Sequence, residues 1–362
     1  MHELPPLIAN SARRRRQVRR WFIPPVIVCT AWLGMFLIGR VWDAPIRIVN
    51  DITGGRISSL FGVADEPKLP KLDDDPEYRL PAKENDRLDV LLLGIRGKDD
   101  PENGGYLTDT ILLLSVDEKT GDASLVSIPR DLTVRITDTV TDRINTAYLR
   151  LGVNGVKRLF SRVTGVWVDH AVVLDFTAFA SIVDELGGIT ITLDKPFTES
   201  QQWAGEDGYE FSLPAGENTL NGEQALYYVR SRYSTSDFDR AWRQQQVILA
   251  VKDKLTVSGL ISDPIAAMGI ITTLNKHVET DLDILDAGTI KRLADLGRNG
   301  GNIRRYVPTT ENLLYDKIED GAYHLLPRGD TLDHLKEFIG RLPGAASIPV
   351  ITTPEPGVTD EP

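Results

Sequence analysis

At 362 residues the chain has room for one large domain or two ordinary ones. Its net charge of −11 is uneven: six arginines against Glu3 put +5 on residues 1–20 and therefore −16 on the remainder, an acidic bulk that argues against general nucleic-acid binding. The single cysteine, Cys29, excludes a disulfide framework or a cysteine zinc site within one chain.

From Trp21 to Gly39 nineteen residues carry no charge. As a helix this run is about 28 Å long, close to the ~30 Å of a bilayer's hydrocarbon core. Pro24 and Pro25 are tolerated near a helix start, and Trp21 and Trp42 bracket the span as interface anchors. Arg13–Arg16, Arg19 and Arg20 precede it, so the positive-inside rule leaves the N-terminus in the cytoplasm and the bulk of the chain outside. A cleaved signal peptide would have a shorter apolar region and a small-x-small site, and no convincing site is present. The expected order is a basic cytoplasmic tail (1–20), a single transmembrane helix (21–42) and an extracytoplasmic linker (43–86). The linker opens with an amphipathic segment over 44–62 and turns rich in proline and charge from 63.

A folded domain is expected over 87–341. Leu88–Gly94 and Thr110–Val116 are apolar runs of strand length. Asp117–Asp122 is a turn, and Ala123–Ile128 completes a hairpin with the second run. Residues 152–163 read as a helix and Ala171–Leu174 as a strand. Thr177–Leu186 is an amphipathic helix closed by Gly187-Gly188, where a left-handed cap belongs. Ile189–Leu193 alternates as a strand. Residues 220–230 and 239–255 read as helices, with others near 263–276 and 286–297 and a short β pair near 304–326. Alternation of both element types indicates a mixed α/β, three-layer α-β-α-like architecture with helices on both faces of a sheet. Residues 342–362 contain five prolines and no apolar periodicity, which is the composition of a disordered tail.

Three signals carry chemistry. Leu107-Thr108-Asp109-Thr110 opens a buried strand with a carboxylate at its mouth, a position for a metal ligand or for a turn residue. Ser127-Ile128-Pro129-Arg130-Asp131 closes the third strand, where sheet proteins often place ligand groups; the bland alternative is an Arg130–Asp131 surface pair. The stretch Leu226–Val247 holds Arg230, Arg232, Arg240 and Arg243 within fourteen residues. Read as extended, Tyr-Tyr-Val-Arg-Ser-Arg points Arg230 and Arg232 to one side; helical spacing puts Arg240, Arg243 and Gln244 on one face. Convergent guanidinium groups suit phosphate, because each donates bidentately and never loses its charge. The alternative is a solvated helix paired locally to Asp237 and Asp239. The five histidines show no HExxH or paired spacing, and no GxSxG, Walker A or GxGxxG motif follows a strand.

In this order, LLLGIRG, LTDTILLLSVDEKTG, SIPRD, DRINTAY, VLDFTAFASIVDELGGITI, LPAGENTLNGEQALYYVRSR and DFDRAWRQQQVI resemble the LytR-CpsA-Psr family of cell-wall ligases over roughly residues 87–255. The resemblance implies a mixed α/β fold with a hydrophobic pocket for a polyprenyl chain. It implies a membrane-anchored phosphotransferase that moves a glycopolymer phosphate from an undecaprenyl-pyrophosphate carrier onto peptidoglycan, with Mg2+ as cofactor. By position, Asp109 resembles the family's magnesium-binding aspartate, and Arg130, Arg230, Arg232, Arg240 and Gln244 its pyrophosphate-contacting residues. Arg243 is a further substrate-binding candidate. Phe176, Phe179, Ile182 and Val183 share a helix face that would line the lipid cavity. Asp131, Asp237 and Asp239 are candidates for the base that takes the acceptor hydroxyl's proton. One position departs from the pattern. Where the family often has an aspartate just after LLLG-I, this chain has Arg96, and Asp99 and Asp100 in a lengthened loop are the expected substitutes. A hydrolase of the same fold and a non-enzymatic binder of polyprenyl-phosphate glycans are the alternative functions.

Overall fold

The computed structural model describes residues 76–97, 104–204, 209–258, 277–282, 292, 303–319, 321–344 and 347–349. All belong to one compact unit, Leu69–Pro362. The expected membrane helix, the amphipathic segment, Asp99, Asp100 and, Arg292 apart, the helices near 263–276 and 286–297 lie outside the described residues. Among the described residues no helix is long and apolar enough to cross a membrane.

Strands β1 (Arg87–Ile95), β2 (Thr108–Asp117) and β3 (Ala123–Ser127) form from the apolar runs and pair antiparallel in sequence. The hairpin β4 (Thr133–Thr137) and β5 (Val140–Arg143) leads into helix α1 (Ala147–Thr164). A first turn precedes the expected start at residue 152, and Gly152, with a φ of 65°, breaks the helix between the two parts. Strand β6 (His170–Asp175) pairs parallel to β1, and helix α2 (Phe176–Glu185) follows at once, with Asp175 capping it by accepting from the Ala178 N–H at 2.8 Å. Gly187 and Gly188, both at positive φ, close α2 as expected.

Beyond α2 lie β7 (Ile189–Leu193), the hairpin β8 (Phe197–Ala204) and β9 (Tyr209–Leu213), and β10 (Gly216–Leu220), which pairs with β7. Helices α3 (Gly222–Arg230) and α4 (Asp237–Val257) both begin with capping boxes, Asn221 with Gln224 and Ser236 with Asp239. The extended reading of Tyr227–Arg232 is therefore corrected in favour of the helix read over 220–230. The Asn221 box starts a helix that runs through Arg230, and the chain becomes extended only at Ser231, whose ψ is 130°.

The remaining elements are β11 (Val278–Thr280), β12 (Ile303–Tyr306), the hairpin β13 (Leu314–Glu319) and β14 (Ala322–Pro327), and helix α5 (Asp333–Gly340). The central sheet has the order β11-β6-β1-β2-β3-β12. Residues near 304 thus extend the main sheet, parallel to β3, and only β13 and β14 form the separate pair expected in this region.

Side-chain alternation sorts the two faces. Leu91, Leu93, Leu113, Val126 and Val173 pack against Val156, Leu159 and Phe160 of α1 and Leu335, Phe338 and Ile339 of α5. The opposite face faces α4: buried Gln245 donates to Ser127 Oγ at 2.8 Å and to the Tyr306 carbonyl at 2.8 Å, fastening the helix to β3 and β12. Helices α2, α3 and α4 share a second core with β7, β9 and β10 through Val183, Ile191, Phe211, Tyr228 and Val247.

The folded body reaches past the expected limits of 87 and 341. Tyr78 is buried in the main core, its hydroxyl accepting from the Arg135 N–H at 3.0 Å. At the other end Leu342 is buried and Ile348 packs on the same core. The proline content there masked these two apolar anchors.

Candidate functional site: an arginine cleft beside an apolar pocket

Strands β1, β3 and β6 end, and β2 begins, at the same edge of the sheet, as the pairings Ile95↔Thr108, Ile95↔Asp175 and Leu112↔Ser127 require. The side chains that leave this edge meet the end of α3 and the start of α4. Between them lies a cleft of about 390 Å³ lined by six arginines, Arg96, Arg130, Arg143, Arg230, Arg232 and Arg240, with Asp109, Asp131, Tyr233 and Gln244. Five of the expected residues, Arg130, Arg230, Arg232, Arg240 and Gln244, converge here from three separate parts of the chain, and Asp109 is among them.

Arg130 is the hub. It is ion-paired to Asp109 through Nη1, to Asp131 at 3.6 Å through Nε and to Asp237 at 3.5 Å through Nη2. Burial works to lower its pKa, but the three carboxylates together raise it above the usual arginine value. Arg240 shares Asp237 at 3.0 Å and donates to the Asp109 carbonyl at 3.4 Å. Its balance goes the other way: burial, with the charges of Arg130 and Arg232, pulls it down to about 10 against Asp237 and Asp109. Arg230 is also lowered, by burial first and then by the charge of Arg96. The Nε atoms of Arg130 and Arg240 are buried and donate no hydrogen bond among the described residues. A cleft whose cations are partly desolvated and mutually repelling favours an anionic occupant.

Arg243 does not line this cleft, which corrects its assignment to substrate. It lies buried beneath the loop between α3 and α4, donating to the carbonyls of Tyr228 (3.2 Å) and Ser231 and to Thr235 Oγ1 (3.0 Å). Its guanidinium carbon lies 5.0 Å from the Phe197 ring centroid. Residues 240 and 244 are one helical turn apart and share the cleft face, whereas the arginine between them turns toward α3. The three base candidates also separate. Asp239 is consumed by the Ser236 capping box, Asp237 is shared by Arg130 and Arg240, and Asp131 lines the cleft with Arg143 at 3.3 Å.

Next to the cleft is a narrow apolar pocket of about 80 Å³ walled by Leu92, Leu112, Leu174, Phe179, Leu226 and Val247. Thr110, Phe176, Val229 and Gln244 belong to both walls, so the two spaces adjoin. Phe176 and Phe179 are where the helix-face reading put them; Val183 instead fills the second core, and Ile182 does not line the pocket. Arg143, Asn145 and Tyr233 line the cleft without having been singled out. The motif DRINTAY contained the first two, but their hairpin-to-helix junction gives no periodic signal.

Of the expected magnesium ligands Asp109 lies in the cleft, and Asp99 and Asp100 fall outside the described residues. No three acidic, histidine or cysteine side chains among them converge as metal ligands. Each cleft carboxylate is already ion-paired to arginine, and position 96, at the mouth of β1, contributes a further cation.

A mixed α/β sheet with an arginine-lined cleft at one end of its strands and an apolar slot beside it has the charge and shape that suit an anionic head group carrying a hydrophobic tail. Residues 61–338 match the LytR_cpsA_psr family, and the chain belongs to that family. It is 29% identical over 287 residues, 77% of this chain and 83% of the relative, to the polyisoprenyl-teichoic acid–peptidoglycan teichoic acid transferase TagT of Bacillus subtilis. Its fold matches a structure of TagT bound to LIIa-WTA at a TM-score of 0.56 and 25% identity, covering 72% of this chain and 92% of that one. It also matches the LytR-CPS2A-psr family protein YwtF (TagT) with bound octaprenyl pyrophosphate lipid, at a TM-score of 0.52 and 24% identity over 72% and 92% of the two chains.

Proposed function

We propose that this chain is a membrane-anchored phosphotransferase that moves a glycopolymer phosphate from an undecaprenyl-pyrophosphate carrier to a peptidoglycan hydroxyl at the outer face of the cell membrane. The observation that carries the proposal is the shared wall of Thr110, Phe176, Val229 and Gln244. It lets one ligand place a charged head among arginines and the first part of an apolar tail in the adjoining pocket. The relative TagT is named as a transferase of polyisoprenyl-linked teichoic acid to peptidoglycan, which supports the same substrate class here, and the apolar run at 21–42 would supply the anchor.

The chemistry asks for positioning and charge more than for a nucleophilic side chain. The acceptor oxygen attacks the phosphorus next to the sugar, the bridging P–O bond breaks, and the lipid phosphate departs with an extra negative charge. Arg130, Arg230, Arg232 and Arg240 are fixed before the reaction, so they stabilise that charge without reorganising. Asp131, paired to Arg130 and Arg143, and Asp237, paired to Arg130 and Arg240, are the two candidates for the base that takes the acceptor's proton. The arginines hold the departing lipid phosphate after the bond breaks, and the adjoining apolar wall holds the start of its tail.

Full-length protein in detergent, given a lipid-linked glycopolymer and peptidoglycan, tests this. Polymer covalently joined to wall material is the expected product. Free polymer phosphate would make the chain a hydrolase, and retained lipid without turnover would make it a binder.

A further inference from the structure

We propose that Tyr323 of β14, beside the Asp131 side of the arginine cleft, is an acceptor-binding residue on which a sugar of the peptidoglycan glycan strand stacks. The inference rests on the function proposed above and deepens it by giving the second substrate a place. In-line phosphoryl transfer puts the attacking and leaving oxygens on opposite sides of the phosphorus. In that reading the leaving lipid phosphate lies toward the wall shared with the apolar pocket, Thr110, Phe176, Val229 and Gln244. Asp131 and Arg143 line the cleft but not the pocket, so the acceptor approaches from their side.

The strand that carries Tyr323 is fastened to that side. Leu325 of β14 forms a parallel bridge with Leu132, which directly follows Asp131, and both leucines are buried. Two residues back along both parallel chains, Tyr323 comes level with Arg130. Tyr323 and Leu325 point to the same face of β14, so the face that buries Leu325 and Pro327 runs out at Tyr323, which is 41% exposed. Burial first, then the charges of Asp316, Asp131 and Asp237, push its phenol above the usual tyrosine value against Arg143. The last two carboxylates are the base candidates, so the ring lies near the place where the acceptor hydroxyl gives up its proton. The phenol itself stays protonated at neutral pH and can donate a hydrogen bond. Exposed Ile318 faces Tyr323 directly across the hairpin and widens the apolar surface. Leu314 and Leu325 root the hairpin in the main core, which fixes the ring before any acceptor arrives. A neutral ring adds little to phosphate binding. Its apolar face and polar tip suit a hexose, which is apolar on its C–H face and polar at its rim.

Soluble glycan-strand fragments of peptidoglycan, titrated by NMR into the full chain in detergent with octaprenyl pyrophosphate present, test the proposal. The wild type is expected to bind them with a shift of the Tyr323 ring signals. Tyr323→Ala is expected to weaken fragment binding at least about fivefold, the loss of one aromatic contact. Its Kd for octaprenyl pyrophosphate is expected to stay within about twofold of the wild type, as for an exposed substitution away from that ligand. Tyr323→Phe, which keeps the ring, is expected to bind fragments within about threefold of the wild type. If Tyr323→Ala does not fold, the ring shift in the wild type and the affinity of Tyr323→Phe decide the matter. Equal fragment binding by the wild type and folded Tyr323→Ala overturns the inference and leaves the lipid site standing. A wild type that binds the lipid but no fragment does the same. A wild type that binds no octaprenyl pyrophosphate removes the proposed function and this inference with it.

Discussion

Arg230 sits over Phe176, its guanidinium carbon 4.6 Å from the ring centroid, and this stack marks the boundary between the charged cleft and the apolar pocket. The ring belongs to both walls, so it both steadies the cation and touches the start of the tail. Phe176→Ala is expected to weaken polyprenyl-pyrophosphate binding by about 1–2 kcal/mol, combining lost apolar contact with a lost cation–π interaction. A double-mutant cycle with Arg230→Ala isolates the stack. A coupling of about 0.5–2 kcal/mol is expected, and additive losses would show that the two residues act separately.

Arg130 offers a sharper test, because three carboxylates converge on one planar group. A lysine keeps the charge but cannot reproduce three differently directed contacts. Both Arg130→Ala and Arg130→Lys are expected to lower transfer at least about a hundredfold, as removal of a positioned charge stabiliser commonly does. Near-normal turnover by a well-folded Arg130→Lys protein would show that charge alone suffices at this position.

Among the described glycines the tightest approach is that of Gly222 against α2. A Cβ there would lie 2.2 Å from the Ala180 carbonyl oxygen, and the Gly222 N–H donates to Asp184 Oδ1 at 2.7 Å. The obstacle is backbone, so it cannot swing aside. Gly222→Ala is expected to cost about 1–3 kcal/mol through displacement of α3, which carries Arg230 into the cleft. Urea unfolding measures the loss, and an unchanged midpoint would mean that α3 shifts freely.

Much of the site was legible because its residues fall on periodic elements or at strand ends. Asp109 and Arg130 flank apolar runs that can only be strands, and Arg240 and Gln244 are one helical turn apart. What was misread lacked such a guide. The Tyr-Tyr-Val-Arg run has strand composition, yet the capping box at Asn221 and a buried Ala225–Val229 face make it helical. Arg243 shares a helix with Arg240, and no spacing rule distinguishes a ligand-facing arginine from one that straps a loop from beneath. Gln245 was invisible for a related reason. A glutamine in a polar triplet reads as surface, but here its amide meets a serine hydroxyl and a strand carbonyl at the buried edge of the sheet.

Acid sensitivity is expected to centre on Asp281, which joins the end of β11 to α1 and β6. It accepts from Lys157 Nζ at 2.5 Å and from the Ala171 N–H at 2.7 Å, with His170 at 3.6 Å. Burial tends to raise its pKa, but the Lys157 hydrogen bond, the Ala171 amide and the nearby positive charges outweigh this and hold it below 3.8. A carboxylate depressed in the folded state stabilises the protein above its unfolded pKa and loses that contribution as pH falls through the folded value. The stability gap between wild type and Asp281→Asn is therefore expected to be full at pH 6 and to shrink as pH falls from about 4 toward 2. Urea titrations across that range measure it, and a gap independent of pH would assign the effect to packing.

Arg240 carries the opposite sign. Its side chain is 6% exposed and its pKa is pulled down to about 10, so the fold holds this charge at a cost throughout the neutral range. Methionine has similar length and no charge; replacing whole buried ion pairs by apolar groups often gives neutral or stabilising changes of about 1–4 kcal/mol, and removing one member is costly when it leaves a charge uncompensated. Asp237, which would lose one partner, keeps Arg130 at 3.5 Å. Arg240→Met is accordingly expected to raise Tm by at least about 2 °C while weakening polyprenyl-pyrophosphate binding at least about tenfold. The ligand itself should raise Tm in the wild type, because it binds only the folded state and offsets the same charge, and should do so far less in the variant. A variant that melts several degrees lower yet binds normally would make Arg240 a structural residue and move the anion-binding role to Arg130, Arg230 and Arg232.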